Sequence, residues 1–522
     1  MTMPGELTIP VRSSVPQLDN DHPEYQALSP ATYLVLALCH ETLAGPGTTP
    51  SRGGIPDPNF TTMQPRLAES WWPEVGGSWI VRLRGGLRSN LGNPLTSTAV
   101  RWGFERSFAL DNIGAWRWSQ VGGLDGAHCV EVMDEHHLRF RLRCPDPLFA
   151  AHLFWATPRI ADATAAVAHA TDEDPWSCGW LAENVAGFGA FELTDRNPDG
   201  LQFALRADHR QRGEPMTVAL REVPSRADAV ALVRTSQPTL VPGLRCDEAR
   251  SLQSAEGVEL ISAWAGHASI EIDYNTPPFD DYRVRHALSY ATPYDAVIRD
   301  GFLGLARRWR SPLKTYSTWY TPEYWHFETD VAAARSLLEA AGHADGLAAP
   351  LYIRRRPDTE RIAAILQGAF ADIGVELEVH DYSAAAAANE PGWMPPLYLR
   401  VDCGHNTTQP LYDLAHDYAP ISPILGSSGT PGVCTWHPPY AGNPAFEQMM
   451  RDALLAPDAN TRRERTMAFQ RSIVEFAPAV FLAEQALFNA VNAAVPAPIR
   501  AYEHRLNQVV LFQNANSRYI GD

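Results

Sequence analysis

The chain has 522 residues, of which 45% are hydrophobic and 20% charged, a composition typical of a soluble globular protein that excludes wholesale disorder. The length corresponds to about three domains. The formal net charge of −17 repels phosphate backbones and anionic lipid headgroups. We therefore expect no nucleic-acid partner and no membrane-surface role.

Two residue types narrow the chemistry. Of 43 basic side chains, only Lys314 is a lysine, so a lysine Schiff-base enzyme would have to use that residue, and this class is disfavoured. The seven cysteines are odd in number and form no CxxC pair, which argues against a structural zinc site. Scattered cysteines predict free, buried thiols and a reducing compartment.

The first half of the chain mixes short strands, helices and glycine-rich loops. Alternating apolar residues predict strands, and helical spacing or an N-cap such as Thr96 predicts helices. In chain order we expect a strand at 5–11, a helix at 31–43, a loop at 44–60, a strand at 79–84, a helix at 96–107, a strand at 136–143 and a loop at 178–191.

The pattern becomes more helical after residue 270. A helix is predicted over 281–303, and a second helix begins after Asp330 and ends at Gly342. A strand at 351–354, an amphipathic helix at 362–373 and a strand at 375–379 form a βαβ pattern. A capping box at 461–464 predicts a helix through Phe476, followed by a strand at 480–482.

No nucleotide-binding, zinc-protease or serine-hydrolase motif occurs. His136 and His137 are adjacent on a predicted strand, so their rings face opposite sides and cannot chelate one metal together. Cys403 and His405 leave open a nucleophilic pair, and His405 leaves open a contact to a metal chelate. The expectation is no resident metal and no cofactor.

Six segments in order carry a family resemblance. They are LAESW at 67–71, LRGGLRSNLGNPLT at 83–96, its continuation at Val100 and 104–106, VAGFGAF at 185–191, NTPPFDDYRVRHAL at 275–288 and the stretch 331–382. Together they resemble the bacterial extracellular solute-binding proteins of family 5, the oligopeptide-, dipeptide- and nickel-binding proteins of ABC importers.

The resemblance implies an α/β fold of the two-lobe periplasmic-binding-protein type, with an extra domain inserted in lobe I and a ligand cleft between the lobes. Closure would be a hinge motion on two strands. We assign residues 1–48, 190–268 and 488–522 to lobe I, 49–189 to the inserted domain II and 269–487 to lobe III.

The chain departs from the family in the segment that lines the cleft. Family peptide binders place a carboxylate there for the ligand's ammonium, but residues 403–410 carry Asn406 and Gln409 instead. An amide cannot supply the charge-assisted bond, which favours a neutral or anionic ligand. In a shifted alignment Asp402 or Asp413 would take that role. Predicted ligand contacts are Asn406, Gln409, His405, Cys403, Trp393, Trp436, Trp116 and Trp118, the last two in a polar loop.

The resemblance predicts a monomeric solute-binding protein of the ABC-transporter type that captures a small organic or peptide-like ligand and, if exported, meets an ABC permease. The residues before Tyr25 contain neither a cationic start nor an apolar core, which predicts a cytoplasmic location; a mis-assigned start codon would return the chain to the membrane or exterior. The alternative is therefore a cytosolic enzyme or carrier, with a cofactor-independent cyclase or isomerase activity in specialised metabolism.

Overall fold

A computed structural model describes residues 6–11, 17–19, 21–22, 30–49, 57–155, 158–209, 216–389, 393, 395–402, 409–418 and 443–495. In these ranges the strands are β1 (Glu6–Val11), β2 (Ala44–Thr49), β3 (Asp57–Pro65), β4 (Ala68–Pro73), β5 (Trp79–Leu83), β6 (Val130–Val132), β7 (His137–Phe140), β8 (Phe191–Asn197), β9 (Gly200–Leu205), β10 (Thr217–Glu222), β11 (Leu240–Leu244), β12 (Val258–Ile272), β13 (Ala306–Arg308), β14 (Leu347–Ile353), β15 (Val375–Asp381), β16 (Leu397–Asp402) and β17 (Ala479–Asn492).

Over the same ranges the helices are α1 (Pro30–Cys39), α2 (Ser97–Ala109), α3 (Ile113–Gln120), α4 (Phe149–His152), α5 (Ala163–Ala168), α6 (Cys178–Glu183), α7 (Arg226–Leu232), α8 (Cys246–Leu252), α9 (Tyr282–Ala291), α10 (Tyr294–Ala296), α11 (Val331–Ala340), α12 (Pro357–Ala371), α13 (Tyr382–Ala388), α14 (Pro410–Tyr418), α15 (Pro444–Leu454) and α16 (Ala459–Phe476). A 3₁₀ turn at Ala127–Cys129 and a π-helical turn at Val297–Gly301 complete them.

Two sheets form the main body. One has the order β1-β10-β9-β8, with β1 parallel to β10. The other has the order β11-β17-β12-β16-β14-β15, and β13 also pairs with β17. The long strands β12 and β17 run antiparallel from Val258 opposite Asn492 to Glu271 opposite Ala479. Two register shifts interrupt this pairing, and such irregularities bend strands.

The βαβ prediction is confirmed. Strands β14 and β15 pair in parallel, and α12 connects them with Ile362, Leu366 and Phe370 buried. Parallel neighbours need such a crossover, which covers one face of the sheet. Asp330 caps α11, as predicted, by accepting a hydrogen bond from the backbone of Ala333.

A smaller sheet with the order β4-β5-β7-β6 lies between residues 68 and 140. Its core is aromatic: the Trp118 ring stacks on that of Phe140 at 5.6 Å and meets the rings of Phe104 and Trp155 at 5.2 and 5.4 Å. The side-chain oxygen of Thr96 accepts a hydrogen bond from the backbone of Ala99, which confirms the predicted start of α2.

The glycine-rich segment after α6 packs against the end of α1. A Cβ on Gly187 would lie 2.1 Å from the carbonyl oxygen of Cys39, and a Cβ on Gly189 would lie 2.3 Å from the carbonyl carbon of the same residue. The backbone of Gly189 also donates to that carbonyl oxygen at 2.9 Å. Glycine is therefore required here for close backbone approach.

Four local predictions were wrong. Residues 44–60 contain β2 and part of β3, because backbone pairing between the two segments overrides their glycine and proline content. Residues 178–183 form α6, whose first two backbone N–H groups donate to Asp174. The helix expected from a box at 461–464 begins earlier, because Asp458 accepts from the backbone of Thr461. The helix expected over 281–303 ends at Ala291, and two separate short helical turns follow it.

Candidate functional site: the boundary at α14

The segment predicted to line the cleft lies between β16 and α14. Cys403, His405, Asn406 and Trp436 lie outside the residues that the structure describes. The described part of the site therefore begins at Gln409 and continues along α14. Its surroundings are α3, the loop 309–317 and the facing side chains of β12 and β16.

Gln409 starts α14 by capping it. Its side-chain oxygen accepts hydrogen bonds from the backbone of Leu411 at 2.7 Å and of Tyr412 at 3.3 Å. This satisfies backbone donors that a helix start leaves without intrahelical partners. Gln409 is fully buried, so its described contacts hold α14 in place. Its predicted contact with a ligand stays a prediction.

Tyr412 connects α14 to the segment predicted as the inserted domain. The Arg117 Nε donates to the Tyr412 hydroxyl at 3.2 Å, and the guanidinium lies 5.6 Å from the tyrosine ring centre. The rings of Trp116 and Trp155 lie 5.9 and 5.6 Å from that of Tyr412. We call Trp116, Trp155 and Tyr412 the aromatic wall; its buried rings exclude water from the contact between α3 and α14.

The structure separates the predicted tryptophans. Trp116 and Trp118 lie on the helix α3, which corrects the prediction that they occupy a polar loop. Helical spacing cannot be recognised in this segment, because α3 has only eight residues and polar residues lie between and after the two tryptophans. Trp116 faces Tyr412, whereas Trp118 packs inside the aromatic core. Trp393 packs on Tyr352 at 5.2 Å, beside β14 and away from the aromatic wall.

A group of buried charges lies behind α14. We call Glu271, Lys314, Arg400, Asp413 and Asp417 the polar cluster; all five are buried. Strand alternation places Glu271 on one face of β12 while Ile270 and Ile272 fill the apolar core on the other. The Arg400 guanidinium lies 3.5 Å from Asp417 and 3.8 Å from Glu271.

The loop 309–317 supplies further contacts to the polar cluster. Ser317 donates to Asp413 at 2.9 Å, and the Lys314 Nζ lies 3.9 Å from Asp417. Burial raises the pKa of Tyr418 well above its ordinary value, and the carboxylates of Asp417 and Glu271 add to the shift. This phenol therefore stays neutral.

A second buried contact, away from α14, joins α16 to the segment around α4. Arg462 of α16 lies 2.9 Å from Asp146, which also contacts the His152 imidazole at 2.7 Å. Burial opposes ionisation, yet Arg462 and His152 together lower the pKa of Asp146 to about 2. The carboxylate therefore stays charged and fastens α16 to the segment around α4.

Sequence reasoning missed Lys314, Arg400 and Asp417 as parts of one site. Their separation along the chain hides their proximity, and only the rarity of lysine singled out Lys314 beforehand. Cys39, Cys129, Cys144, Cys178 and Cys246 are free, as predicted, although Cys144 and Cys178 are only partly buried. No three His, Cys, Asp or Glu side chains converge on a possible metal position within the described ranges.

Comparisons with known proteins identify the fold and the family. Residues 62–411, more than half of the chain, match the profile of bacterial extracellular solute-binding proteins, family 5 (middle). The chain belongs to this family. The expected α/β fold of two lobes is confirmed, and the chain is a solute-binding protein of the ABC-transporter type. The comparisons do not favour a cytosolic enzyme or carrier.

Individual family relatives are distant in sequence. The glutathione-binding protein GsiB of Pectobacterium atrosepticum is 23% identical over 81% of this chain and 80% of its own. The probable D,D-dipeptide-binding periplasmic protein DdpA of Escherichia coli is 21% identical over 84% and 82%. Such identities establish a common architecture but leave the ligand open.

Solved structures agree on the fold. The substrate-binding protein CtaP of Listeria monocytogenes superposes with a TM-score of 0.75 at 17% identity, over 94% of both chains. DppA of Helicobacter pylori, in complex with the peptide STSA, gives 0.70 at 19% identity over the same shares. Among the helices that the structure describes, none combines the length and apolar character needed to cross a bilayer.

Proposed function

We propose that the chain captures a small, carboxylate-bearing peptide-like or opine-like ligand between α14 and α3. The observation that carries this proposal is the contact of Tyr412 with Trp116, Trp155 and Arg117, directly beside the polar cluster. Ligand sites in proteins combine an apolar wall with a few convergent polar groups. This boundary contains both.

The ligands of similar proteins support this size and chemistry. Proteins similar to this chain include glutathione-binding proteins and structures in complex with Met-Leu, agropinic acid and mannopinic acid. Each of these molecules is small and carries at least one carboxylate. Asn406 and Gln409, where family peptide binders carry carboxylates, favour a ligand without a free ammonium group.

Capture should close the molecule around the ligand. Calorimetry with glutathione, mannopinic acid, Met-Leu and N-acetyl-Met-Leu measures binding, and small-angle scattering measures compaction. We expect at least one acid to bind below about 1 mM and to reduce the radius of gyration. No binding by any of the four, with an unchanged scattering profile, would contradict capture at this boundary.

A pair of tryptophan variants locates the site. Trp116→Ala removes part of the aromatic wall and should weaken binding by about tenfold or more. Trp72→Ala removes a tryptophan that is 40% exposed on β4 and should leave affinity unchanged. Thermal melts of both variants separate lost binding from lost folding. Equal affinity of Trp116→Ala and wild type would move the site elsewhere.

Met-Leu and N-acetyl-Met-Leu test how the site treats the amino terminus of the ligand. If Asn406 and Gln409 set the preference, N-acetyl-Met-Leu should bind at least as tightly as Met-Leu. The competing arrangement uses Asp413, a buried carboxylate on α14. Tighter binding of Met-Leu that Asp413→Asn abolishes would favour that arrangement instead.

The partners of the chain follow from family membership. Family members work with ABC permeases, and we extend that partnership to this chain as part of the proposal. We also propose that the chain acts as a monomer. Sedimentation with and without the tightest-binding acid should give the mass of one chain, 57.6 kDa, in both states.

A further inference from the structure

Lys314 is a buried cation whose ammonium has no hydrogen-bond acceptor among the described residues. The side chain is 0% exposed, and its Nζ has no hydrogen-bond partner in the part of the chain that the structure describes. The nearest carboxylate oxygen of an ion pair, Oδ2 of Asp417, is 3.9 Å away, which is beyond hydrogen-bond range. A buried ammonium with three unsatisfied donors is costly to keep.

The unsatisfied Nζ does not result from a loose loop. Trp309 donates from its indole nitrogen to the backbone carbonyl of Leu313 at 3.1 Å, and the backbone of Thr315 donates to Glu484 of β17 at 2.9 Å. Ser317 donates from its backbone to the carbonyl of Lys314 at 2.8 Å. The chain is therefore fixed on both sides of Lys314, and its ammonium is positioned in advance.

Lys314 also lies beside α14. Its ion-pair partner Asp417 is on α14, the helix whose Tyr412 meets the aromatic wall. The other oxygen of Asp417 faces Arg400 at 3.5 Å, so one carboxylate is shared between two cations. That sharing leaves hydrogen-bonding capacity at Lys314 for an additional anionic oxygen.

We propose that Lys314 receives a carboxylate of the bound ligand and sets a preference for acids over the corresponding amides. This inference rests on the proposed function and specifies one contact within it. A charge-assisted bond from an ammonium to a carboxylate is shorter and stronger than a bond to a neutral carbonyl. A compact ammonium also suits a single oxygen better than the planar fork of arginine does.

The test compares ligands that differ only in this group. A mixture of N-acetyl dipeptides and their carboxy-terminal amides is incubated with protein, and retained molecules are identified by mass spectrometry. Wild type should retain acids over amides by about 10- to 100-fold. Lys314→Met should lose that preference, and Lys314→Arg should restore part of it.

A matched variant controls for charge. Arg299→Met removes a cation whose side chain is 69% exposed and pairs with the neighbouring Asp300, so it should keep the acid preference. A wild type that retains amides as readily as acids, or a Lys314→Met that still prefers acids, overturns the inference. The proposed capture function, as distinct from the Lys314 contact, would fail if neither acids nor amides were retained and neither glutathione nor mannopinic acid caused compaction.

A second measurement needs no variant. Because Lys314 is the only lysine, labelling lysine with ¹³C at the ε-carbon gives a single side-chain signal in the NMR spectrum of the full chain. A saturating N-acetyl dipeptide should shift this signal, and the corresponding amide should not. Identical signals with bound acid and without it would overturn the contact even if affinity is unchanged.

Discussion

Two groups of buried charges in this molecule are built differently. In the first, Arg106 and Arg159 enclose Asp19: Arg159 donates at 3.0 Å to one carboxylate oxygen, and Arg106 donates to both. Burial opposes ionisation, but Arg159 and Arg106 lower the pKa of Asp19. In the polar cluster, by contrast, the Lys314 ammonium reaches no acceptor within hydrogen-bond distance among the described residues.

The difference separates a structural role from a binding role. The guanidinium of Arg106 also donates to the carbonyl of Trp176 at 3.0 Å, and that of Arg159 donates to the carbonyl of Leu18 at 2.8 Å. These bonds tie the segment around Asp19 to helices and loops far along the chain. Removing a buried charge that is paired and hydrogen-bonded destabilises the native state, whereas removing a buried charge that has no hydrogen-bond acceptor should cost much less.

The largest change in unfolding free energy is expected at Asp19. Asp19→Asn removes the carboxylate that hydrogen-bonds both buried guanidinium groups and leaves Arg106 with the more distant Asp21 at 3.8 Å, so we expect a loss of about 3–5 kcal/mol in the free energy of unfolding. Asp300→Asn, at an exposed pair with Arg299, should cost less than about 1 kcal/mol. Urea denaturation of both variants gives the two values. Equal losses would mean that burial and pairing do not distinguish the two sites.

Asp146 should make the stability of the protein depend on pH. Its folded pKa is about 2, below the ordinary value of 3.8, so its contribution is fully present above about pH 4 and is lost as pH falls through 2. The shift corresponds to about 2 kcal/mol. Asp146→Asn should lose about that much at neutral pH and show a flatter decline in acid.

The measurement is urea denaturation of wild type and Asp146→Asn from pH 7 to pH 2.5. Burial of the contact with Arg462 means that salt should change the result little. Parallel pH curves for the two proteins would show that the carboxylate is not the source of the acid dependence.

The parts of the fold that were predictable are those that local pattern determines. The βαβ unit around α12 was visible from helical spacing followed by alternation, and the starts of α2 and α11 from Thr96 and Asp330. The pairing of β2 with β3 was not, because it depends on long-range contacts rather than on local propensity.

The candidate site combines a segment that the sequence indicated with residues that it did not. The family resemblance led to the segment before α14, and Gln409 lies there. No pattern could bring Lys314 beside Asp417, because the two are about a hundred residues apart and their burial arises from tertiary packing alone. The rarity of lysine singled out Lys314 in the sequence, but it indicated no binding role for that residue.

Tyr412 gives a smaller effect across the boundary. Tyr412→Phe removes the hydroxyl that accepts from Arg117 while keeping the ring against Trp116 and Trp155. We expect a loss of about 0.5–1.5 kcal/mol in unfolding free energy. Tyr282→Phe, on an exposed tyrosine, should change nothing measurable. A loss above about 3 kcal/mol would place Tyr412 with the structural pairs around Asp19.

The smallest effect is expected at Lys314, and it tests the comparison most severely. Lys314→Met keeps an unbranched side chain of similar length and removes an ammonium that no described residue hydrogen-bonds. Asp417 still faces Arg400, so no carboxylate is stranded. Unfolding free energy should therefore change by less than about 1 kcal/mol, in either direction. Arg400→Met is the matched opposite, because it deprives both Asp417 and Glu271 of a cation and should cost several times more. If Lys314→Met instead destabilises the protein as much as Arg400→Met, then Lys314 is a structural cation like Arg106, and the distinction between satisfied and unsatisfied buried charges fails.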